Sequence, residues 1–524
     1  MTHRCDVLVI GGGATGLGVV RDAAMRGFDA ILVERVDLGQ GTTGRFHGLL
    51  HSGARYIVSD PRSATECAEE NAIVKRIAAE AVEDTGGLFV TTPADDPAYA
   101  DGFLAACAER RVPAQEIPAA EALRREPRLN PGITRAFEVL DANVDAWKLL
   151  WGNARSAREH GARILPYHWV TGVLRDGDRV VGVECQDNRS RELVRIEAGF
   201  VINAGGVWAG QIADMAACPG VTVVPGKGVM IAMNHRLVRT VVNRCEHPGD
   251  GDILVPVRTV CVIGTTDVKA DSPDDLDIGR AEVQQMLDAG EILVPGFRRA
   301  RALHAWTGSR PLFTDERAGE GAAADTRHMS RGLAVVDHLA RDGVAGLLTI
   351  TGGKLTTYRL MAEIVVDRMC EQMGLSRPCR TAEEHLPGSE DGRNYALGSR
   401  LAAQEAAMAD DQLVCECELM PRRRLVEAAE RRPGMTLDDV RRVLRLGMGP
   451  CQGGFCTYRA TGILHGMGDA EVERADELLL TFLQHRWLGL EPILYGDQMR
   501  QACLDDWIFQ GTLDVEHLPV TVPA

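Results

Sequence analysis

Nowhere in the 524 residues is there a run of about 18 apolar residues, so no segment reads as a bilayer-spanning helix. No period of about 20–50 residues repeats and no stretch is of low complexity, which argues against solenoids, propellers and disordered tracts. The N-terminal MTHRCDVLVIGGG lacks the apolar core and cleavage site of a secretory signal and passes directly into a strand-like run. We therefore expect a cytoplasmic protein, for which any contact with the cytoplasmic membrane would need a partner. Positive charge is scarce: 58 Lys and Arg stand against 74 Asp and Glu. A net charge of −16 argues against general nucleic-acid binding and leaves any anion site to local cationic groups. Disulfides are not expected in a reducing compartment, so the 14 cysteines read as buried thiols or metal ligands. Cys5, Cys67, Cys107, Cys185, Cys218, Cys245, Cys261, Cys370, Cys379 and Cys503 are scattered and read as small core residues. The remaining four are not scattered.

What is present begins at once. CDVLVIGGGATGLGVVRDAAMRGFDAILVER reads strand, glycine turn, helix, strand. DVLVI is a short β-branched run suited to a strand buried on both faces. The helix is expected from about Ala14 to Arg26, ending at Gly27, and AILVE forms the next strand. Gly11, Gly13 and Gly16 match G-x-G-x-x-G, with Gly12, Ala14 and Thr15 completing the loop. The first glycine permits the turn, the second lets backbone N–H groups approach a pyrophosphate, and the third lets helix and strand pack closely. The positive end of the helix then faces the phosphates. Glu34 ends the second strand, where a carboxylate accepts from ribose hydroxyls, and Arg35 follows it. A lone glycine fingerprint also occurs in ordinary loops; the full strand–helix–strand–acid register is what makes this one a dinucleotide site. Two later stretches return to the same unit. GARILPYHWVTGVLRDGDRVVGVEC reads as a strand and a hairpin turning at Asp176-Gly177. GFVINAGGVWAG gives a strand, the small residues Ala204 and Gly205, and a helix start. This order resembles the glutathione-reductase-like FAD fold, which implies FAD rather than a nicotinamide.

The stretches GTTGRFHGLLHSGARYIV, VVPGKGVMIAM, VIGTTDVK, WTGSRPL, MSRGLAVVDH and ITGGKLTTYRLMAE resemble FAD-dependent glycerol-3-phosphate dehydrogenases, over about residues 4–370. The resemblance implies a small dianionic substrate held by fixed cations, for which the planar guanidinium fork is suited. Arg310 in TGSRPL, Arg331 in MSRGL, and Arg55 with Tyr56 in SGARY match that demand. Gly352 and Gly353 would let backbone reach the flavin, with Leu355 and Thr356 beyond them and Lys354 close to the reacting carbon. Thr43 and Gly44 would line the flavin or its phosphates. Thr265, Thr266 and Asp267 would shape the site or form a plain strand-end turn. Oxidation at C2 needs a hydride acceptor, charge and a base. The expected catalytic residues are His51, Arg310 and Lys354, and the sequence does not choose between His51 and Lys354 as the base.

Cys415 and Cys417 in LVCECELM and Cys451 and Cys456 in GPCQGGFC form C-x-C and C-x4-C pairs 33 residues apart. Four thiolates suit zinc or an iron–sulfur cluster. The spacing departs from the C-x2-C knuckles of zinc sites and is similar to the bacterioferritin-associated-ferredoxin-like domain, which implies a 2Fe–2S one-electron relay. With this extension the whole chain resembles the large catalytic subunit of the anaerobic members of the family. Such a chain works with two partners, a second flavoprotein subunit plus an iron–sulfur membrane-anchor subunit, and with quinone as eventual acceptor. Two other readings stay open: a related flavoprotein acting on a small hydroxy or amino acid, and a non-enzymatic iron–sulfur scaffold. The expected fold class is α/β: a glutathione-reductase-like FAD-binding Rossmann domain with an inserted α+β substrate domain and a small helical C-terminal iron–sulfur domain. The FAD domain would take 1–90, 141–225 and 335–370, and the substrate domain 91–140 and 226–334. A connector would span 371–409, the cluster domain 410–466, and a tail, undecided between packing and partner surface, 467–524.

Overall fold

The computed structural model describes residues 2–315, 329, 332–407, 411–468 and 470–518. Its first sheet is built around the strand Thr2–Ile10, which pairs in parallel with Ala30–Val33 on one side and Leu193–Asn203 on the other. The first half of that strand alternates between exposed and half-buried, whereas Val7 to Ile10 are buried on both faces. The helix Ala14–Met25 follows, with Arg26 capping it and Gly27 at φ +80°. Leu347–Gly352 extends the sheet in parallel from Leu193–Asn203, and Leu333–Asp337 pairs antiparallel beyond it. The expected hairpin joins His168–Asp176 to Arg179–Asp187. It turns through Gly177 and Asp178, one residue later than the sequence pattern suggests, because Gly177 takes the positive φ.

Helices Ala14–Met25, Ala146–Glu159 and Tyr358–Gln372 share one core on a face of this sheet, where small residues permit close approach. A Cβ on Gly18 would lie 3.1 Å from the Tyr358 ring and 3.2 Å from Ala362. The fully buried Arg21 donates to Ser156 Oγ at 2.9 Å and to the Glu384 carbonyl at 2.8 Å. Leu386 joins the same core, so the segment after residue 371 packs on this unit and does not merely connect.

The second sheet is largely antiparallel. Val221–Met233 runs along Ala302–Asp315, and the order continues through Val260–Gly264, Ile253–Val257, Val241–Arg244, Gly87–Thr91, Arg135–Val139 and Ala114–Ile117. Its strands begin at Gly87 and Val221, just ahead of the segments the sequence pattern assigns to it. The third unit holds strands Leu413–Cys415 and Met420–Pro421 and helices Arg422–Arg431, Leu437–Leu444 and Cys456–Gly466. Helix Val472–Leu490 contributes Leu478 and Phe482 to the same small core, so this part of the tail belongs to the cysteine-bearing unit.

Two buried charge squares join that unit to the rest. Arg258 of the second sheet donates to Glu418 at 2.9 Å and to Asp145 at 3.1 Å; Arg445 donates to the same two acids at 3.0 and 3.3 Å. Asp37 accepts from Arg432 at 2.9 Å and Arg442 at 3.0 Å, and Asp439 accepts from Arg442 at 2.6 Å. Burial alone would raise the Asp145 and Asp439 pKa values. Arg445 and Arg258 outweigh it at Asp145, and Arg442 and Arg432 at Asp439, so both acids are held below the usual range. Their contribution to stability is thus complete above pH ~4 and fades on acidification below it.

Removing one partner of a buried pair leaves an uncompensated charge and costs about 3–5 kcal/mol. Glu418→Gln is therefore expected to lower the midpoint of denaturant unfolding and to speed tryptic cleavage between the second and third units. A variant with the parent's midpoint and cleavage rate would show that the squares carry no net coupling.

Candidate active site

A cavity of about 420 Å³ opens where the strands Thr2–Ile10, Ala30–Val33, Leu193–Asn203 and Leu347–Gly352 end at their C-termini. Ligands bind there in doubly wound sheets because the strand ends splay and the helix N-termini point outward. Gly11 has φ +111°, and a Cβ on it would lie 2.4 Å from the Ala204 carbonyl. A Cβ on Gly16 would come within 1.9 Å of the Gly11 carbonyl. Both positions therefore require glycine for the turn to close. Gly13 differs: it lines the cavity, and its Cβ would meet only Thr43 Oγ1, at 3.2 Å. Helix Ala14–Met25 has no cap from its own N-cap residue, Gly13, and no acid in its first turn, so its positive end faces the cavity. Thr43 Oγ1 accepts from Ala14 N–H at 3.1 Å.

Glu34 sits at the second strand's end, where its two carboxylate oxygens accept from Gly12 N–H at 2.7 Å and Val36 N–H at 3.1 Å. Burial pushes its carboxyl up, against those two donors. Arg35 lies 4.0 Å over the ring of Trp208, a cavity residue not expected from the sequence although it follows directly on the NAGG turn. Gly11, Gly13, Ala14, Thr15, Glu34, Arg35, Thr43, Ala204, Gly205, Gly352, Gly353 and Leu355 all line the cavity, where cofactor contacts are expected. Four of the expected contacts do not line it. Gly12 turns its N–H to Glu34, Gly16 packs on Gly11, and a Cβ on Gly44 would strike Trp147 at 2.2 Å. Thr356 is fully buried and accepts from His51 N–H at 3.1 Å. A side-chain-free turn, an open helix N-terminus and a strand-end acid suit a dinucleotide such as FAD.

At the far end, beside Gly352 and Gly353, the cavity gathers His47, His51, Tyr56, Arg310 and Lys354. Lys354 Nζ sits 4.4 Å over the Tyr56 ring, whose centroid is 5.2 Å from that of His51. Arg310 is fixed by the Gly226 carbonyl at 3.3 Å, the Thr266 carbonyl at 3.0 Å, the Thr265 hydroxyl and Asp267 at 3.2 Å. The IGTTD stretch thus shapes the site by buttressing an arginine. Gly228 clears the space, since a Cβ there would lie 2.8 Å from the guanidinium. The structure moves Arg55 away from the expected substrate contact: it pairs with the buried Asp252 at 2.8 Å and does not line the cavity. Arg331 lies outside the described residues. His47 is a further site residue beyond those expected, and FHGLLH carries it four residues before His51. Burial, with the fields of Arg55 and Arg310, drops its pKa to about 3, and its Nδ1 accepts from Leu49 N–H at 3.1 Å. It is a neutral ring with that nitrogen engaged.

In the third unit Cys417 and Cys451 bring their sulfurs within 3.7 Å of each other. Hydrogen bonds from Cys417 and then Cys456 lower the Cys451 thiol to about 2, and one from Cys456 lowers Cys415. The N–H groups of Gly453 and Phe455 favour the Cys451 thiolate further, and those of Glu418 and Gly447 the Cys415 thiolate. Gly449 leaves room for the set, since a Cβ on it would come within 2.2 Å of Cys417 Cβ. A separate trio, Cys218, His338 and Asp342, places its ligand-type atoms mutually within 4.8 Å. Both His338 ring nitrogens are already engaged, with Asp342 at 2.6 Å and Thr349 Oγ1 at 2.9 Å, and burial raises the Cys218 thiol to about 11. That trio reads as hydrogen-bonded core.

Comparison with known proteins agrees with this geometry. The model of the FAD dependent oxidoreductase family matches residues 6–359. The corresponding chain of the anaerobic glycerol-3-phosphate dehydrogenase of Escherichia coli K12 is 42% identical over 536 residues, covering 98% of each chain. Its counterpart in the anaerobic glycerol-3-phosphate dehydrogenase of Haloferax volcanii is 43% identical, covering 100% of this chain and 93% of that one. Among solved structures, the FAD-complexed glycerol-3-phosphate dehydrogenase of Bacillus halodurans superposes with a TM-score of 0.69. It is 21% identical and covers 94% of this chain and 96% of its own. The glycine oxidase of Geobacillus kaustophilus gives 0.56 at 21% identity, over 74% of this chain and 99% of its own, a likeness of fold. The chain belongs to the FAD dependent oxidoreductase family and, within it, to the anaerobic glycerol-3-phosphate dehydrogenases.

Proposed function

We propose that this chain oxidises sn-glycerol 3-phosphate to dihydroxyacetone phosphate, and that electrons leave through a 2Fe–2S cluster on Cys415, Cys417, Cys451 and Cys456 to partner subunits and then to quinone. The observation that carries the reading is the convergence of Arg310, Lys354, His51 and Tyr56 at one end of the dinucleotide cavity. FAD, when bound, supplies the hydride acceptor. Arg310 holds phosphate oxygens through a fork already oriented by Gly226, Thr265, Thr266 and Asp267. Lys354, stacked on Tyr56, places a second cation beside the substrate oxygens. His47 is a poor base, because its Nδ1 lone pair already receives Leu49 N–H. We assign the C2 hydroxyl proton to His51, its ring set against Tyr56 and its backbone tied to Thr356, with Lys354 as the alternative base.

The C-x-C and C-x4-C spacing, unlike the C-x2-C knuckles of zinc sites, is what supports a 2Fe–2S cluster over a single zinc in this reading. No helix among the described residues is long and apolar enough to cross a membrane. In this reading the membrane contact belongs to the partners, a second flavoprotein subunit plus an iron–sulfur anchor subunit.

Three outcomes are expected. Gly13→Val projects its branches into the cavity and not into the protein, so it should keep the parent melting temperature yet purify without FAD. Full flavin absorbance in that variant would refute the phosphate placement. Anaerobic sn-glycerol 3-phosphate should bleach the flavin while glycerol does not. Arg310→Ala, losing a charge-assisted contact of about 1.5–3 kcal/mol, should lower kcat/KM roughly 10- to 150-fold. Faster bleaching by a 2-hydroxy acid would overturn the substrate assignment. Finally, Cys415→Ser or Cys456→Ser should lose iron and acid-labile sulfide, keep FAD and still bleach with substrate, but fail to reduce quinone in the assembled complex. Stoichiometric zinc, or undiminished quinone reduction without the cluster, would remove the relay.

A further inference from the structure

A second cavity of about 300 Å³ lies between the 40–48 segment, the second sheet and the helix Leu437–Leu444 of the cysteine-bearing unit. Phe46 and His47 line both cavities, so a single layer of side chains separates them. One corner of the second cavity gathers His304, Arg441, Arg442 and Arg445 beside the carboxylates of Asp145 and Asp438. His304 Nδ1 is buried without a hydrogen-bond partner. Arg441 stands in the same corner. Asp438, the acid whose field acts on it, gives its carboxylate to His485. The neighbouring Arg442 and Arg445 are engaged by Asp37 and Asp439 and by Glu418 and Asp145. Burial, together with Arg442, Arg445 and Arg486, pushes the Arg441 pKa below the usual arginine range; burial, Arg441 and Arg486 drop His304 to about 3. Arg45, Arg441, Arg442 and Arg445 thus outnumber Asp145 and Asp438 in the lining, and Arg441 shares Asp438 with His485, an arrangement that a buried anion would relieve.

The rest of the wall is of another kind. Trp147 and Trp306 supply two indole faces, and Val144, Val257, Val260 and Val262 close the sides. The His304 and Trp306 rings are stacked with centroids 6.1 Å apart, so the polar corner and the aromatic wall adjoin. A bare inorganic anion would leave the indoles and valines without contacts, and an uncharged ring would leave Arg441 and His304 unsatisfied. We propose that this cavity is a second binding site, for a planar aromatic anion whose charged group meets Arg441 and His304 while its ring lies against Trp147 and Trp306. Nothing in the oxidation chemistry of the first cavity requires this ligand.

The test is calorimetric titration of the purified full-length chain with 2-naphthoate, 2-naphthol and inorganic phosphate. One 2-naphthoate per chain is expected, with 2-naphthol and phosphate each binding at least 10-fold more weakly. Arg441→Gln should weaken 2-naphthoate at least 10-fold and leave 2-naphthol unchanged. Ala232→Leu, which fills the cavity from the sheet side, should abolish binding of both rings. Arg310→Ala, altered in the first cavity, should bind 2-naphthoate like the parent, which separates this site from the substrate assignment. Phosphate as tight as 2-naphthoate would overturn the aromatic half of the proposal, and 2-naphthol as tight would overturn the anionic half. Parent-like 2-naphthoate affinity in both Arg441→Gln and Ala232→Leu would dismiss the site altogether.

Discussion

The hydrogen bond from Gly12 N–H to Glu34, 2.7 Å long, ties the glycine turn to the end of the second strand, and much of the architecture hangs from that point. It can form only because the turn is closed by contacts that exclude side chains: Gly16 against the Gly11 carbonyl and Gly11 against the Ala204 carbonyl. The turn in turn aims the N-terminus of Ala14–Met25 at the cavity. The chain leaving Glu34 then serves a second purpose. Leu38 packs where a Cβ on Gly12 would stand, 2.7 Å away, and Asp37 enters the charge square with Arg432 and Arg442. The short stretch from Glu34 to Leu38 thus couples the cofactor cradle to the docking of the cysteine-bearing unit.

Why that docking uses charge follows from what buried ion pairs do well. They return little net stability after desolvation, but a misaligned pair is severely penalised, so they select one orientation. Interfaces between units of one chain are otherwise mobile by default. Here Asp145, at the N-cap of the helix Ala146–Glu159, accepts from Arg258 of the second sheet and from Arg445 of the third unit. All three units meet at one carboxylate. The four thiols are thereby held in a fixed relation to the cavity, a condition for any repeated transfer between them.

Legibility in the sequence follows locality. The strand–turn–helix–strand unit is readable because its signals lie within about 30 contiguous residues, each with a local physical reason. The hairpin is readable only to within one residue, since Asp-Gly can sit at either of two turn positions and backbone geometry decides between them. Arg310 can be picked out from its motif, but the role of Thr265, Thr266 and Asp267 as its supports depends on two strands meeting across the second sheet. Arg55 has the sequence context of a substrate contact, and only the fold brings Asp252, far along the chain, to close on it. The charge squares are invisible for the same reason. Asp37 and Arg432 are 395 positions apart, and neither carries a motif. His47 and Trp208 sit beside residues that the motifs single out, yet only the folded chain puts them in the cavity wall.

The electrostatics of the cavity bear on selectivity in a chain of net charge −16, where long-range attraction cannot deliver an anion. The local field must do so at short range. Arg310 is paired with Asp267 at 3.2 Å, and the Lys354 ammonium lies over the Tyr56 ring. Each cation is therefore oriented by its surroundings, and His47, held uncharged between them and the second cavity, adds no proton of its own. If Arg310 and Lys354 meet the substrate as proposed, a zwitterion would bring its own ammonium into that field, whereas a small dianion would meet two cations. The glycine oxidase of Geobacillus kaustophilus shares the fold, and a shared fold does not by itself set what a cavity binds.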